Sequence, residues 1–394
     1  MHRVLSVLGI SVLALLVIGV LVLASAGGVN GMRLFGNSYH FLSKQSVWMV
    51  VALCCMTAAI FFDYHKWREF PWLTVLFYLV VVGLMAAVFL FPKINGSRRW
   101  LALGALRLQP SELGKIAVVI ATSVFLDRLG WRISKFWKGA VRSVLLVGVL
   151  MGLAVMEPDF GATVVIAGTA AVLFLVSGMK VVHIGMLGGF ATIPVGLLLV
   201  FNPNRMNRIA SWVKSMFGQS IDGGVVEMSA EQLAADYQVR NALIAIQNGG
   251  VTGMGFNRSV QKYGYLPEAH TDFIFAVGAE EWGLCFSLLL VLLYLTIFVC
   301  GLVISARAPD RLGRLMAYGM TFLLVFQAFF NLGVVTKCLP TKGIALPFIS
   351  YGGTNLITAL VAIGVLINVG RQIELPKLRP RSTISPLFQT EGVT

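Results

Sequence analysis

Long, uninterrupted apolar runs recur along the whole chain and constrain its fold most strongly. Of the 394 residues, 57% are hydrophobic and only 12% are charged. About 20 apolar residues cross a bilayer as a helix, whereas membrane-spanning strands alternate apolar and polar residues. The runs therefore predict an all-α polytopic membrane protein. We expect ten transmembrane helices, at about 4–25, 46–62, 71–91, 110–126, 143–156, 161–178, 183–201, 272–305, 314–336 and 354–370.

The segments between and after these spans predict the domain organisation. A single integral membrane domain is expected over residues 1–370, with one large extracytoplasmic loop after the seventh span at about 202–271. The polar tail, 371–394, is expected to be cytoplasmic and disordered. The first run ends near a small-residue stretch that resembles a signal-peptidase site, but it is longer than a signal core of roughly 7–15 residues. We therefore interpret it as a retained first span.

The distribution of Lys and Arg predicts the orientation. With the N-terminus inside, the inner segments hold 16 of the 31 basic residues and the outer segments hold 15. Long loops count little in the positive-inside rule, and leaving out the six in the large loop gives 16 against 9. Both termini are therefore expected in the cytoplasm. The outer surplus favours an exported anionic ligand, and the division of cations between two faces argues against nucleic acid despite the net charge of +14.

Ionisable residues inside apolar runs are candidates for a functional site. In "QPSELGK", Pro110 suits a helix start, and Glu112 and Lys115 lie three residues apart on one helical face. Charges at membrane depth cost several kcal/mol unless they are paired or wetted, so they indicate function by default. A purely structural ion pair is the alternative interpretation.

Further charged residues lie at the predicted outer ends of the spans. Glu157 and Asp159 occupy a very short outer turn, which could also be a solvated connection. Arg205 and Arg208 are three residues apart just past a span, on one predicted helical face. Lys342 lies in "LPTKGIALPFISYGGTN", whose Pro and Gly residues forbid a continuous helix. Non-helical backbone at membrane depth is tolerated where it is buried in protein or lines a wet cavity.

The segment "YLPEAHTDFIFAVGAEEWG" gathers five ionisable residues at the edge of an apolar run. Asp272 lies at the mouth of the predicted helix, whereas Glu280 is about 12 Å deeper and some 80° around it, and Glu281 faces nearly the opposite way. These carboxylates therefore cannot form one close dyad. Asp272 is expected to be accessible, and the two glutamates to make structural contacts. His270 could orient Asp272, although a place on the rim of the site is favoured.

Together these residues predict an outward-facing cavity with clustered cations and one carboxylate at its lip. Arg and Lys of this kind match phosphate or diphosphate, since a guanidinium can bind oxygens in pairs. A lone aspartate suits proton abstraction. Residue types and spacing alone do not identify the bound molecule.

At these same residues the sequence resembles the SEDS family (shape, elongation, division and sporulation), the polytopic peptidoglycan glycosyltransferases of bacteria. The resemblance covers most of the chain and rests on five motifs in the family's order. They are "NGSRRW", "QPSELGK", "EPDFGA", "GYLPEAHTDFIFAV" and "LPTKGIALPFISYGG". The stretches Glu-Ala-His-Thr-Asp and Pro-Thr-Lys-Gly resemble the FtsW division branch more than the RodA elongation branch.

The resemblance implies a ten-helix fold, lipid II as substrate and Asp272 as the essential aspartate. It also implies substrate-binding positions at Arg99, Trp100, Glu112, Lys115, Asp159, Arg205, Arg208 and Lys342. Three features depart from the family pattern: Glu157 stands where Gln is usual, Trp282 where Leu is common, and "GMGFNRS" replaces a more Gly-rich stretch. None of them removes a candidate catalytic group, so they bear on loop conformation and partner contacts.

The expected reaction joins the GlcNAc 4-hydroxyl of lipid II to the MurNAc C1 of a lipid-linked glycan, with inversion. Asp272 would act as general base, and burial against Phe273 and Phe275 should raise its pKa from an ordinary value of about 3.9. Lys115, Lys342 and the nearby arginines would stabilise the departing undecaprenyl pyrophosphate.

No cofactor is certain from the sequence. A divalent cation, Mg²⁺ or Mn²⁺, could help to carry the diphosphate, but no ligand cluster requires one, and the five cysteines lack metal-ligand spacing. The resemblance implies a class B penicillin-binding transpeptidase, other divisome membrane proteins and membrane lipid as partners, in the bacterial cytoplasmic membrane at the division septum. A lipid-precursor flippase or transporter and a non-catalytic division scaffold are the alternatives, because intramembrane carboxylates and broken helices also mark transporters.

Overall fold

The computed structural model describes residues 1–92, 98–103, 106–186, 188–189, 230–340 and 343–374, with no side-chain detail for 102–106, 131 and 230–236. Within these residues the chain is almost entirely helical, as predicted. The helices are α1 (His2–Phe35), α2 (His40–Phe61), α3 (Lys66–Glu69), α4 (Pro71–Ala87), α5 (Pro110–Leu129), α6 (Arg142–Met156), α7 (Phe160–Val176), α8 (Ala230–Gly249), α9 (Ile274–Arg307), α10 (Arg311–Val335) and α11 (Gly353–Gln372).

Seven helices in the described part of the chain are long and apolar enough to cross a membrane, and α7 is a shorter apolar helix. Helix α5 has sufficient length but carries several charged residues, Glu112 and Lys115 among them. Nine of the ten predicted spans therefore correspond to helices. The predicted seventh span and the first part of the large loop, up to residue 229, fall mainly outside the described residues.

A short antiparallel hairpin, like α3 and α8, is an element that the sequence did not predict. Strand β1 (Leu101–Leu103) pairs with β2 (Leu106–Leu108), and Leu101 lies opposite Leu108. The predicted all-α membrane fold is unaffected, because these six residues lie outside the long apolar runs and satisfy backbone groups by pairing with each other. The hairpin leads directly into α5, and the backbone N–H of Gln109 donates to Thr354 Oγ1 at 3.1 Å.

Helix α9 is interrupted at Gly283, whose φ of 68° is accessible to glycine at little cost. The turn after α8 docks into this interruption. The backbone N–H groups of Met254 and Gly255 donate to the carbonyls of Glu280 and Glu281, at 3.0 and 2.9 Å. A side chain at Gly283 would collide with the backbone of this turn. The 34-residue helix is thereby anchored to the segment that precedes it.

The N-terminus and the end of the described chain after α11 lie at the same end of the helix bundle, which we call the terminal face. The N-terminal ammonium pairs with Glu374 at 3.1 Å. At this same end, Asp310, before α10, accepts a hydrogen bond from Tyr64 after α2 at 2.8 Å, and Arg311 donates to the carbonyl of Ser177 after α7 at 3.0 Å. The starts of α5, α7, α9 and α11 meet at the opposite end, which we call the site face.

Candidate active site

Asp272 lies on the site face, two residues before α9 begins, as the sequence predicted. Asn331 near the end of α10 fixes this backbone, since its Nδ2 donates to the Asp272 carbonyl at 2.8 Å. The same amide donates to the carbonyl of Ile344 at 2.6 Å, so it ties two segments together. Gly343 lies directly against the Asp272 carboxylate, leaving no room for a Cβ atom there. The carboxylate therefore lies between the fixed backbone of its own residue and Gly343.

The segment from 343 to 352 is non-helical, as its Pro and Gly content predicted, and it braces the Asp272 turn. Ser350 Oγ donates to the carbonyl of Thr271 at 2.6 Å, and the backbone N–H of Tyr351 donates to the carbonyl of His270 at 3.0 Å. The backbone N–H of Leu346 donates in turn to Ser350 Oγ at 2.8 Å. These bonds satisfy the polar groups of an irregular segment inside an apolar bundle.

His270 belongs to the wall beside Asp272. Its ring lies 4.3 Å from that of Phe41 and 5.8 Å from that of Tyr351, measured between ring centroids. Its Nδ1 lies 3.5 Å from Nδ2 of Asn30 at the end of α1. Burial lowers the pKa of His270, which favours the neutral ring. These contacts support the interpretation of His270 as a rim residue.

Burial is the main cause of a raised pKa at Asp272, which reaches about 7. The negative charges of Glu268, Asp159 and Glu112 raise this pKa further, whereas the charge of Arg99 lowers it. A pKa near the working pH suits a general base, because the deprotonated form is available and still has a useful affinity for a proton. Both the direction and the dominant cause of this pKa shift agree with the expectation from the sequence.

Glu112 and Lys115 form the ion pair that their spacing predicted, with 2.8 Å between Oε2 and Nζ. Lys115 Nζ also donates to Gln327 Oε1 of α10 at 2.7 Å. Gln327 in turn donates to the carbonyl of Ala345 and to Asn355 Oδ1, both at 2.8 Å. Only 2% of the Lys115 side chain is exposed. Lys115 therefore lies behind the site and is connected to the 343–352 segment through Gln327.

Asp159 caps α7 and joins this helix to the start of α5. Its Oδ1 accepts from the backbone N–H of Ala162 at 3.1 Å, which is an N-cap interaction. Its Oδ2 accepts from Ser111 Oγ and from Gln109 Nε2, both at 2.8 Å. The Asp159 side chain thus has hydrogen bonds at both oxygens, and it acts on Asp272 through its charge.

Arg99 reaches the same turn from the segment before the hairpin. Its Nη2 donates to the carbonyl of Pro158 at 2.7 Å, while its Nε is buried without a partner. Trp100 beside it is partly buried. Glu157 is fully buried, and neither of its carboxyl oxygens has a hydrogen-bond partner. Arg99 is therefore the cation of the described site that retains an unused donor.

Glu280 and Glu281 make structural contacts, as predicted. Glu281 pairs with buried Lys262 at 3.0 Å and accepts a short hydrogen bond from Ser25 of α1. Glu280 accepts from Asn248 of α8 at 3.2 Å and from Ser259. This network fastens the segment before Asp272 to three helices, and it is separate from the Asp272 site.

Three residues of the site were not singled out from the sequence: Gln327, Asn331 and Gly343. The two amides lie four residues apart in the apolar second half of α10, hence on one face, and this spacing was a usable indication. Gly343 was only one of several glycines in its segment. Of the residues that were singled out, Arg205, Arg208 and Lys342 lie outside the described residues, so their assigned roles stay predictions.

Fold and site together define a polytopic membrane protein with a buried, acid-containing polar site at the end of the bundle opposite the terminal face. A family model described as "cell cycle protein", for FtsW, RodA and SpoVE, matches residues 6–374. The chain belongs to this family.

Two curated relatives illustrate the similarity. The "Probable peptidoglycan glycosyltransferase FtsW" of Coxiella burnetii is 35% identical over 368 residues, covering 93% of this chain and 95% of the relative. "Stage V sporulation protein E" of Bacillus subtilis is 35% identical over 366 residues, covering 91% and 94%.

Two solved structures share the fold. A chain from a structure titled "Structural coordination of polymerization and crosslinking by a peptidoglycan synthase complex" is 25% identical, with a TM-score of 0.73, covering 94% of this chain and 98% of the other. The rod shape determining protein RodA of Thermus thermophilus is also 25% identical, with a TM-score of 0.66, covering 94% and 97%. These matches extend across nearly the full length of each chain.

Proposed function

We propose that this protein polymerises lipid II into β-1,4 glycan strands in cell division. One observation carries the proposal: Asn331 fixes the Asp272 backbone at the site face, where burial raises the pKa of this aspartate to about 7. The family membership, and relatives named as peptidoglycan glycosyltransferases, support this reaction class. Apolar surfaces between the helices would hold the polyprenyl tails while the headgroup reacts outside the hydrocarbon core.

In the proposed reaction, Asp272 accepts the proton of the GlcNAc 4-hydroxyl as that oxygen attacks the MurNAc C1. The bond between C1 and the diphosphate oxygen breaks in the same displacement, and undecaprenyl pyrophosphate leaves with the bonding electron pair. A single displacement inverts an α-linked donor to a β-1,4 product. The bond from Asn331 to the Asp272 backbone restricts the position of the base, which favours a reactive geometry.

The described residues support unequal roles for the proposed cations. Arg99 is partly exposed and lowers the pKa of Asp272, so it lies near enough to act on a diphosphate beside the base. Lys115 is committed to Glu112 and Gln327, and we assign it the maintenance of the pocket wall. Arg205, Arg208 and Lys342 remain proposed contacts of the diphosphate.

A divalent cation would have to be held in large part by the substrate. Within the described residues, no three His, Cys, Asp or Glu side chains converge in a way that could bind a metal ion. Asp159 has both oxygens engaged in hydrogen bonds, which reduces its capacity as a ligand. We propose that Mg²⁺ or Mn²⁺, where it takes part, is bound mainly by diphosphate oxygens, as Mg²⁺ commonly is.

The proposed setting is the bacterial cytoplasmic membrane at the division septum, with both termini in the cytoplasm. The contact of the N-terminus with Glu374 after the last described helix supports a common side, and the Lys and Arg distribution favours the cytoplasm for that side. The proposed partner is a class B penicillin-binding transpeptidase, together with other divisome membrane proteins. A structural relative that comes from a peptidoglycan synthase complex supports this assignment.

The test is polymerisation of purified lipid II by the full-length protein with its transpeptidase partner. Asp272→Asn should abolish polymer while retaining lipid II binding, since the amide keeps the size of the side chain and loses the base. Glu268→Gln is the matched control, because it neutralises an exposed acid in the same turn and should retain polymerisation. Polymer formed by the Asp272→Asn protein would refute the assignment. Transfer of labelled lipid across vesicles without polymer would instead support the flippase.

A further inference from the structure

Glu157 is unusual among the buried acids of the described residues. Its side chain has no solvent exposure, and both of its carboxyl oxygens lack a hydrogen-bond partner. Asp159, Glu280 and Glu281, by contrast, accept hydrogen bonds from hydroxyl, amide or ammonium groups. An ionised carboxylate buried without a partner is strongly disfavoured, so the fold must keep Glu157 neutral or supply it with a cation.

Two charged groups in the described structure act on Glu157. Burial raises the pKa of Glu157 to about 8, and Asp159 on the same turn adds to this increase, whereas Arg99 opposes it. The Arg99 guanidinium is held at this turn by its bond to the carbonyl of Pro158, and its Nε is itself buried without an acceptor. An unused donor and an unused acceptor thus lie at one turn.

We propose that Glu157 is a positioning residue that controls whether Arg99 is free to bind the diphosphate of the lipid-linked sugar. When Glu157 is neutral, the partly exposed guanidinium is free to bind the diphosphate. When Glu157 loses its proton to solvent, the carboxylate pairs with Arg99, and the guanidinium is no longer available to the diphosphate. The inference rests on the proposed function and extends it to pH control of donor binding.

Ionised Glu157 would act against the diphosphate in two ways. It would compete for Arg99, since a charge-assisted bond between guanidinium and carboxylate is among the stronger hydrogen bonds in proteins. It would also add a negative charge beside Asp159, where the approaching diphosphate is itself negative. Both effects raise the KM for the lipid-linked donor above pH 8 and leave the general base available. Alkaline pH should therefore weaken binding more than it slows turnover.

The pH dependence of kcat/KM in Glu157→Gln tests the proposal, because glutamine keeps the size of the side chain but cannot ionise. Wild-type kcat/KM should fall about ten-fold at pH 9 from its plateau, mainly through KM, as one pH unit above a pKa of about 8 requires. Glu157→Gln should stay within about two-fold of its plateau. Glu69→Gln, the same change at an exposed position on the terminal face, should keep the wild-type alkaline decrease.

Arg99→Gln provides an independent test that does not require the Glu157 variant to fold. This variant should have a lower kcat/KM at every pH and a smaller alkaline decrease at higher pH, because Glu157 then has no guanidinium to pair with and has lost the charge that lowers its pKa. An alkaline decrease that persists at wild-type size in Glu157→Gln, or in Arg99→Gln, would overturn the proposal. A wrong assignment of Asp272 as base would be detected in a different experiment, because the Asp272→Asn protein would then still make polymer.

Discussion

Replacing Gly343 with alanine should displace the Asp272 carboxylate and lower the turnover number about 100-fold. The new methyl group would overlap Asp272 Oδ2, whereas it would lie an ordinary 3.4 Å from Cγ of the same side chain. Rotation of the carboxylate by about 1 Å relieves this overlap, and a misplacement of that size can cost about 100-fold in rate. At about 1.36 kcal/mol per ten-fold, the activation barrier rises by about 2.7 kcal/mol.

Stability should change little in this variant, because the atom that must move is the end of a rotatable side chain. Gly343 also has no left-handed backbone conformation that alanine would strain. Gly352→Ala is the matched control in the same segment, since its methyl group would meet only Asn355 Cβ at 3.6 Å. Lipid II polymerisation measures kcat and KM, and thermal unfolding in detergent measures Tm for both variants.

The expected pattern is a large loss of kcat in Gly343→Ala, with KM and Tm near the wild-type values. Gly352→Ala should retain wild-type kinetics. A Gly343→Ala protein that turns over within two-fold of wild type would refute the role of this glycine in placing the carboxylate. A loss of activity that is accompanied by an equal loss in Gly352→Ala, or by a collapse of Tm, would point to disruption of the whole segment instead.

Two further outcomes follow from the ionisable groups of the site. Since Asp272 must be deprotonated to act as base, kcat/KM should fall as pH drops through about 7, to roughly a tenth at pH 6. Glu268→Gln should move this acidic decrease to lower pH, because the charge of Glu268 raises the pKa of Asp272. A wild-type decrease centred near pH 4 would contradict the assignment of Asp272 as base. Lys115→Met should cost about 3–5 kcal/mol by leaving Glu112 buried and unpaired, and adding Glu112→Gln should restore most of the stability in thermal unfolding. A double variant as unstable as the single one would exclude this explanation.

Much of the helical framework could be predicted, because apolar length alone decides what crosses a membrane. The ends of the helices were less predictable. Helix α1 continues to Phe35, beyond the predicted end near residue 25, because tertiary contacts such as that of Asn30 with His270 stabilise its less apolar last turns. The interruption at Gly283 was likewise hidden, since it depends on a turn some thirty residues earlier that docks into the helix.

The candidate site was predictable wherever charge at membrane depth marked it. Asp272, Glu112 and Lys115 stand out because ionisable residues are costly in apolar runs. Gln327 and Asn331 were missed because amides carry no charge, although they connect Lys115 and the Asp272 backbone to the 343–352 segment. Only their partners in the folded chain distinguish them from other amides within helices.

The ionisable groups at the two ends of the bundle differ in whether they have partners within the protein. At the terminal face, Asp310 and Glu374 are paired with the Tyr64 hydroxyl, basic side chains or the N-terminus, so these acids are satisfied within the protein. At the site face, Glu157 has no partner, and Arg99 keeps an unused donor. Unsatisfied buried groups cost stability, and such local conflicts are expected where a protein must bind something else. This difference identifies the functional end more clearly than the basic-residue count of 16 against 15 does.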